Sequence, residues 1–254
     1  MNEALKRKVD ELERLLARVA LEHSPAALAS SLSAEDMVLT DAILRRGLDI
    51  EIFTLDTGRL HADTLDVIDA VRKRYGYAVR VCRPDPKAVG EYVVKFGRDA
   101  FYESAELRKR CCHIRKVEPL ERALEGKEAW ITGQRRAQAL TRAELDLQEY
   151  DAVRGMAKFN PLADWSEDEV WAVIRVNDIP YNALHDHGYR SVGCAPCTRP
   201  TVAGEDARAG RWWWEQPQSR ECGLHVATDG RLVRTPSEIG RASCRARVSI
   251  SVVA

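Results

Sequence analysis

The sequence predicts an α/β protein with a parallel, Rossmann-like sheet, because short apolar strands alternate with helical segments. The predicted units are the strand Ala26–Ser30 with the helix Met37–Arg45, the strand Ile50–Leu55 with the helix His61–Tyr75, and a third strand, Ala78–Cys82. Such alternation is typical of a parallel sheet whose ligands bind at the carboxyl ends of its strands. The candidate site is therefore expected at that edge of the sheet.

The remaining segments extend this pattern at both ends. Apolar residues at helical spacing from Leu5 to Val19 predict an amphipathic amino-terminal helix. Glu106–Leu124 has a helical pattern, and Ala129–Thr132 is a further strand. Ser166, followed three residues later by a glutamate, forms a capping box for another helix. Beyond position 180 the pattern loosens. We expect a nucleotide- and cluster-binding domain over residues 1–200, and a loop-rich arm over 201–237.

The loop after the first strand has the geometry of a phosphate site. Ser31 and Ser33 lie between the strand and the next helix, where backbone amides and the positive helix terminus favour an anion. After the later strand, Gly133 precedes the basic pair Arg135 and Arg136. We therefore expect the two loops to face the same ligand.

Four cysteines form two pairs, Cys111-Cys112 and Cys194-x-x-Cys197. Four thiolates from two distant segments form an all-sulfur site, which selects zinc or an iron–sulfur cluster. Adjacent side chains diverge from the backbone, so the tandem pair favours a cluster over a single zinc ion. Zinc and structural thiols remain the alternatives.

Charge and hydropathy restrict the partners. Lys plus Arg and Asp plus Glu both total 39, so no global positive field indicates nucleic acid or an anionic membrane. No apolar stretch suggests a signal peptide or a membrane span, and we expect a cytoplasmic protein with reduced thiols. Positive charge is instead local, since arginines flank both cysteine pairs.

Five motifs together resemble the assimilatory adenylylsulfate (APS) reductases. They are Ser31-Leu-Ser-Ala-Glu-Asp36, Leu55-Asp-Thr-Gly58, Cys111-Cys-His-Ile-Arg-Lys116, Cys194-Ala-Pro-Cys-Thr-Arg199 and Glu221-Cys-Gly-Leu-His225. The resemblance extends to about Arg234 and implies an adenine-nucleotide α-hydrolase-like fold. It also implies a [4Fe-4S] cluster on the four paired cysteines, catalysis by Cys222 and thioredoxin as reductant. Related reductases of 3′-phosphoadenylylsulfate (PAPS) commonly lack the cluster cysteines, so APS is the expected substrate.

APS carries its sulfate in an anhydride linkage to AMP, and this linkage suits attack by a cysteine nucleophile. Cys222 lies outside both pairs, and a thiolate attacking the sulfur of APS expels AMP and leaves an S-sulfocysteine. Positive charge from His225 and nearby arginines would lower its pKa. Arg208 and Arg211 present guanidinium forks suited to phosphate and sulfate. The predicted substrate-binding residues are Ser31, Ser33, Leu55, Lys116, Gly133, Arg135, Arg136, Arg142, Arg208, Arg211 and His225.

Two positions depart from the family pattern, and the carboxyl terminus differs from the rest of the chain. Ser33 occupies a position that is often glycine, and Ala137 follows the arginine pair where an acid is often found. Residues 238–254 change abruptly in composition and resemble a translated adapter sequence, so we expect a non-native tail. Other functions considered are a PAPS reductase, an ATP pyrophosphatase and a cluster-bearing redox sensor without turnover. The sequence also allows a homo-oligomer.

Overall fold

The computed structural model describes residues 1–139 and 142–215, and these contain one six-stranded sheet. Its strands are β1 (Ala26–Ser30), β2 (Ile50–Leu55), β3 (Arg80–Cys82), β4 (Ala129–Ile131), β5 (Gln148–Asp151) and β6 (Met156–Phe159). The strand order is β3-β2-β1-β4-β6-β5, and every neighbouring pair is parallel except β5 and β6. The predicted α/β class with a mainly parallel sheet is confirmed.

Seven α-helices connect and cover these strands in the described part of the chain. They are α1 (Glu3–Glu22), α2 (Ala34–Arg45), α3 (Ala62–Tyr75), α4 (Pro86–Phe96), α5 (Ala105–Cys112), α6 (Glu118–Leu124) and α7 (Glu167–Asn177). A π-helical turn, His113–Val117, joins α5 to α6. The helix that the sequence predicts over 106–124 is therefore one helical run with a wider turn immediately after the tandem cysteines.

Strand β1 is the point at which the order of the sheet reverses. Ala26 is paired with Ile50 of β2 on one side and with Ala129 of β4 on the other. The chain moves outward through β2 and β3, then crosses back to β4. In open α/β sheets the ligand crevice lies at such a reversal, outside the carboxyl ends of the strands. This places the candidate site after β1 and β4.

Alternation along the strands supplies apolar residues to both faces of the sheet. Leu28 and Ile131 belong to the larger core, which includes buried residues of α1, α2 and α7. Phe53 and Trp130 lie in a second core with Leu120 of α6. A strand buried on both faces is a near-continuous apolar run, as expected for a parallel sheet covered by helices.

Individual element bounds agree closely with the sequence in the first half of the chain. Strands β1 and β2 have the predicted limits, and α3 ends at Gly76, which adopts the left-handed conformation with φ 67°. The capping box at Ser166 and Glu169 is present, with bonds of 3.1 and 2.8 Å. Helix α4 and the antiparallel β5–β6 hairpin are additional elements that the sequence analysis did not predict.

Three predicted features lie partly or wholly outside the described residues. Cys222 and His225 fall there, as does the expected non-native tail. Of the expected arm, residues 201–215 are described, and they fold back on the Cys194–Cys197 segment. Arg211 forms a bridge with Thr198, and the Arg199 amide donates to the Gly210 carbonyl at 3.0 Å.

None of the helices in the described part of the chain combines the length and the apolar character needed to cross a bilayer.

Helix α1 is expected to stabilise the fold through its buried stripe. Leu16 is fully buried in the larger core, whereas Leu21 of the same helix is 84% exposed. Leu16→Ala should lower the free energy of unfolding by about 2–5 kcal/mol, because it leaves a cavity. Leu21→Ala is the control and should change it by less than about 0.5 kcal/mol. Chemical denaturation followed by circular dichroism measures both, and equal effects would contradict this packing.

Candidate active site

A cavity of about 200 Å³ opens at the carboxyl ends of β1, β2 and β4. The structure brings together eight of the predicted substrate-binding residues around it. These are Ser31, Ser33, Leu55, Lys116, Gly133, Arg142, Arg208 and Arg211. They come from five separate stretches of the chain, and their convergence makes this cavity the candidate site.

The loop after β1 reaches the cavity through one left-handed residue. Leu32 has φ 61° and is buried, while Ser33 has φ −84° and is the residue preceding α2. The backbone conformation at Ser33 thus needs no glycine. Serine therefore fits at this position, although the family often has glycine there. The Ser33 side chain makes no capping bond to α2.

Asp36, in the first turn of α2, links the loops that follow β1 and β4. Its Oδ2 accepts hydrogen bonds from the amide and the hydroxyl of Ser31, each at 2.6 Å, and its Oδ1 accepts one from the Gly133 amide at 3.0 Å. A Cβ at Gly133 would lie 2.4 Å from Oδ1, so this approach requires glycine. Burial raises the pKa of Asp36 to about 6, although the bonds from Ser31 oppose the shift.

Arg135 and Arg136 are held by internal contacts and are not among the residues that line the cavity. The Arg135 guanidinium is buried, donates to Glu35 Oε1 at 2.7 and 2.9 Å, and also donates to the Trp165 carbonyl. Arg136 donates to the Leu145 carbonyl and forms an ion pair with Asp164. Both arginines therefore stabilise the loop after β4 through contacts outside the cavity.

Arg211 enters the cavity over a glycine. Its Nη1 donates to the Val192 carbonyl at 2.9 Å, and a Cβ at Gly193 would lie 2.3 Å from Nη2. Gly193 therefore provides the space that the guanidinium occupies. The amide of Arg208, nearby in the same segment, donates to Asp206 at 2.8 Å, which fixes the turn that carries it.

The four paired cysteines line a second, smaller cavity. Cys111, Cys112, Cys194 and Cys197 all contribute to it, and none of them is in a disulfide. Burial, and then the nearby Cys194, raise the pKa of the Cys197 thiol to about 12. In the part of the chain that the structure describes, no group of three or more His, Cys, Asp or Glu side chains is arranged to hold a metal ion. The four thiols nevertheless line the same cavity.

Cationic side chains surround these thiols. Arg59, Arg108, Arg115 and Lys116 line the same cavity. Lys116 follows the cysteines within the π-helical turn, and Lys116 and Trp212 line both cavities. The cavity at the strand ends and the thiol cavity therefore share a wall, and a charge placed in one is close to groups that face the other.

The turn after β2 connects the sheet to the second cysteine pair. Thr57 Oγ1 lies 3.2 Å from Cys194 Sγ, and the Ala195 amide donates to the Arg59 carbonyl at 2.7 Å. On its other side the Thr57 carbonyl accepts from Arg115 Nη1 at 2.7 Å. This turn accordingly holds the two cysteine segments against the strand ends.

Several residues of the site were not predicted from the sequence. His185 lies in a short 3-10 helix, Ala183–His187, and its Nε2 accepts a hydrogen bond from the Ala34 amide at 3.2 Å, at the first turn of α2. Burial lowers the pKa of His185, which favours the neutral ring needed for this bond. Arg190 and Gln138 line the cavity too, and neither belongs to a motif that identified it.

Comparison with known proteins agrees with this arrangement. The family model for the phosphoadenosine phosphosulfate reductase domain matches residues 25–200. The chain belongs to this family. Among similar relatives, the adenosine 5′-phosphosulfate reductase of Burkholderia cepacia is 58% identical, over 87% of this chain and 88% of that protein. The protein of the same name from Allochromatium vinosum is 56% identical, over 83% and 82%.

Solved structures place the family fold in a wider group. A phosphoadenylyl-sulfate (PAPS) reductase from Candida auris, in a phosphate complex, superposes with a TM-score of 0.65 at 24% identity. The match covers 78% of this chain and 98% of that one. FMN adenylyltransferase from Candida glabrata gives 0.53 at 14% identity, covering 86% and 74%. At these identities the likeness is one of fold, and it agrees with the predicted α/β class.

The titration of Asp36 should be measurable as a change in stability with pH. Its pKa in the folded protein is about 6, above the ordinary 3.8, so the folded state retains the proton to a higher pH than the unfolded state does. The contribution of Asp36 to stability therefore falls as pH rises from about 4 to 6, by roughly 3 kcal/mol for a shift of about two pKa units. Asp36→Asn removes this titration.

The free energy of unfolding of the wild type, minus that of Asp36→Asn, should therefore decrease between pH 4 and pH 7. Urea denaturation at a series of pH values measures it. Asp10→Asn, at an exposed position on α1, is the control. A difference that stays constant across this range would show that Asp36 does not titrate there.

Proposed function

We propose that this chain reduces APS to sulfite and AMP, using a dithiol reductant such as thioredoxin, in assimilatory sulfate reduction in the cytoplasm. The observation that carries the proposal is the shared wall between a cationic cavity at the strand ends and a cavity lined by four thiols. The relatives named as APS reductases, which match most of the chain, support APS as the substrate.

The loops after β1 and β4 suit the binding of a phosphosulfate anion. Ser31 and Ser33 supply hydroxyl groups beside the amino terminus of α2, whose dipole favours negative charge. Arg142, Arg208 and Arg211 add guanidinium groups to the lining. We assign the two serine hydroxyls and the helix terminus to the nucleotide phosphate. We assign the arginines to the negative charge that the phosphosulfate group leaves on AMP as the sulfur–oxygen bond breaks.

Cys222 is the proposed nucleophile. Its thiolate attacks the sulfur of APS, the bond between that sulfur and the bridging oxygen breaks, and AMP departs with the electron pair. The product on the protein is an S-sulfocysteine. His225, three residues later, and the arginines of the cavity provide positive charge that favours the thiolate. AMP is a good leaving group because the departing oxygen belongs to a phosphate, whose anion is a weak base.

A dithiol then completes the reaction. One thiolate of the reductant attacks Cys222 Sγ, sulfite leaves, and a mixed disulfide forms. The second thiol of the reductant resolves this disulfide, so the reductant is oxidised and Cys222 returns as a thiol. The two electrons that convert the sulfate group to sulfite thus come from the dithiol.

We propose further that Cys111, Cys112, Cys194 and Cys197 hold a [4Fe-4S] cluster. Their fit to such a group rests on four thiols that line one cavity and form no disulfide, within a shell of cationic side chains. When bound, the cluster would supply a compact centre of charge and a covalent tie between the two cysteine segments. Lys116, which faces both cavities, would bind between this charge and the substrate.

Cys222→Ser should abolish the covalent step and leave binding intact. Wild-type protein purified without oxygen should gain the mass of a sulfo group on incubation with APS, and lose it on addition of reduced thioredoxin. Cys222→Ser should show no adduct, with unchanged iron content and AMP affinity. Cys82→Ser is the matched control and should form the adduct. Sulfite production by Cys222→Ser would assign the chemistry to another group.

The same assay distinguishes the alternatives. An adduct that forms faster from PAPS than from APS, compared as kcat/KM, would make the chain a PAPS reductase. Nucleotide binding without an adduct in the wild type would indicate a binding or sensing protein.

Cys194→Ser tests the cluster. We expect the wild type to contain four iron atoms and four sulfides per chain and to be brown, as all-thiolate iron–sulfur sites are. Cys194→Ser should lose most of the iron, because one of its four ligands is gone. Cys82→Ser again serves as the control. Stoichiometric zinc without sulfide, in protein produced with iron available, would show a zinc site instead.

A further inference from the structure

Gln134 lies in the loop after β4, and a ring of hydrogen bonds holds both its backbone and its side chain. The Gln134 amide donates to Thr132 Oγ1 at 3.4 Å, and Thr132 in turn donates to Asn160 Oδ1 at 2.7 Å. Asn160 Nδ2 donates to Glu149 Oε2 at 3.1 Å, and Lys158 Nζ donates to the same oxygen at 2.8 Å. Lys158 closes the ring by donating to Gln134 Oε1 at 3.4 Å. The β5–β6 hairpin therefore fixes Gln134 from one side.

The chemistry of Lys158 decides which way the Gln134 amide group points. An ammonium has only donors, so the side-chain atom that faces it must be the carbonyl oxygen, Oε1. Burial lowers the pKa of Lys158, while the Glu149 carboxylate opposes that shift and favours the ammonium form. The Nε2 group of Gln134 consequently points away from the lysine.

The Nε2 group is available to a ligand. Gln134 is 7% exposed and lines the cavity at the strand ends, whereas Lys158 is not among the lining residues. In the described part of the chain, the bond from Lys158 is the one hydrogen bond that the Gln134 side chain makes. The buried ring thus presents an amide donor to the cavity.

Two observations favour an anionic oxygen as the acceptor. A cation at the carbonyl end of an amide polarises it, and the hydrogen bonds of such a chain strengthen one another. The charge of Lys158 therefore acts on the cavity through Gln134. In addition, the preceding residue, Gly133, donates to the same Asp36 carboxylate that binds Ser31. Gln134 accordingly adjoins the loop assigned to the nucleotide phosphate.

We propose that Gln134 is a further binding residue of this site and donates from Nε2 to a phosphate oxygen of the nucleotide. Lys158 is the positioning residue that orients it and touches neither substrate nor product. The proposal rests on the part of the proposed function that assigns this cavity to a nucleotide.

Three variants and a control test the proposal. Gln134→Met removes the donor and nearly keeps the volume. Lys158→Met with Glu149→Gln removes the orienting charge and leaves a carbonyl oxygen for Asn160, and the third variant adds Gln134→Met to this pair. Gln148→Met, on β5 and not in the lining of the cavity, is the matched control. Calorimetry measures the Kd of AMP together with the fraction of molecules that bind, so partial misfolding is separated from weaker binding. Competition with AMP gives the Kd of adenosine.

Gln134→Met should weaken AMP binding about tenfold, as expected for the loss of a hydrogen bond to a charged group. Adenosine binding should change by less than about twofold, because adenosine has no phosphate, and Gln148→Met should match the wild type. The KM of APS should rise with kcat unchanged, since this bond is made equally in the ground state and the transition state. The Lys158–Glu149 change should weaken AMP binding when Gln134 is present and have no further effect when Gln134 is replaced by Met.

A loss of AMP affinity below about threefold in Gln134→Met would overturn the proposal, because a bond to a charged group contributes more than this. An equal loss for adenosine would also overturn it, since the donor would then serve the base or the ribose. An effect of the Lys158–Glu149 change that is the same with and without Gln134 would overturn the positioning role. Wild-type protein that binds no AMP would overturn both this inference and the proposed function. AMP binding without sulfite production would overturn the proposed reaction alone.

Discussion

The turn that follows β2 is the constraint on which both cavities depend. It is short, and Gly58 within it adopts φ 69°. Thr57 contacts Cys194 through its hydroxyl and Arg115 through its carbonyl. The end of β2 therefore positions both the loop that begins at residue 194 and the helical turn near residue 115. These contacts hold the two cysteine segments against the same strand end, where the two cavities share a wall.

The π-helical turn complements this constraint on the helical side. An α-helix continued through residues 113–117 would rotate Lys116 relative to Cys111 by the ordinary 100° per residue. The wider turn changes that relation, and Lys116 faces both cavities. Such turns within α-helices are rare and are found frequently at functional sites. Here the turn lies where the thiol-bearing helix meets the sheet.

The sequence was sufficient for the sheet, because its strands have a local apolar pattern. Ser31 and Gly133 follow apolar strands, and parallel topology brings such positions together. The internal partners of Arg135 and Arg136 could not be predicted, because a basic run has the same appearance whether it binds an anion or a buried acid. Glu35, the partner of Arg135, is 100 residues away and was assigned only to the loop. Such internal pairing depends on tertiary structure, which no local pattern encodes.

The β5–β6 hairpin escaped prediction for a related reason. Its outer strand has the sequence Gln-Glu-Tyr-Asp, and Lys158 of β6 is buried against Glu149 at 2.8 Å. Polar residues in these strands conceal the alternation that normally indicates a sheet. The ion pair is internal to the hairpin, and so only the folded hairpin accounts for the charges.

The same hairpin has a consequence for how copies of the protein meet one another. An unpaired strand edge is a template for intermolecular β-pairing, which short strands and charged side chains oppose. One edge of this sheet is β5, with four residues, two of them acidic. The other edge is β3, with three residues, where Arg80 is held by Glu51. Both borders of the sheet therefore resist self-templated aggregation, even though its interior strands are almost wholly apolar.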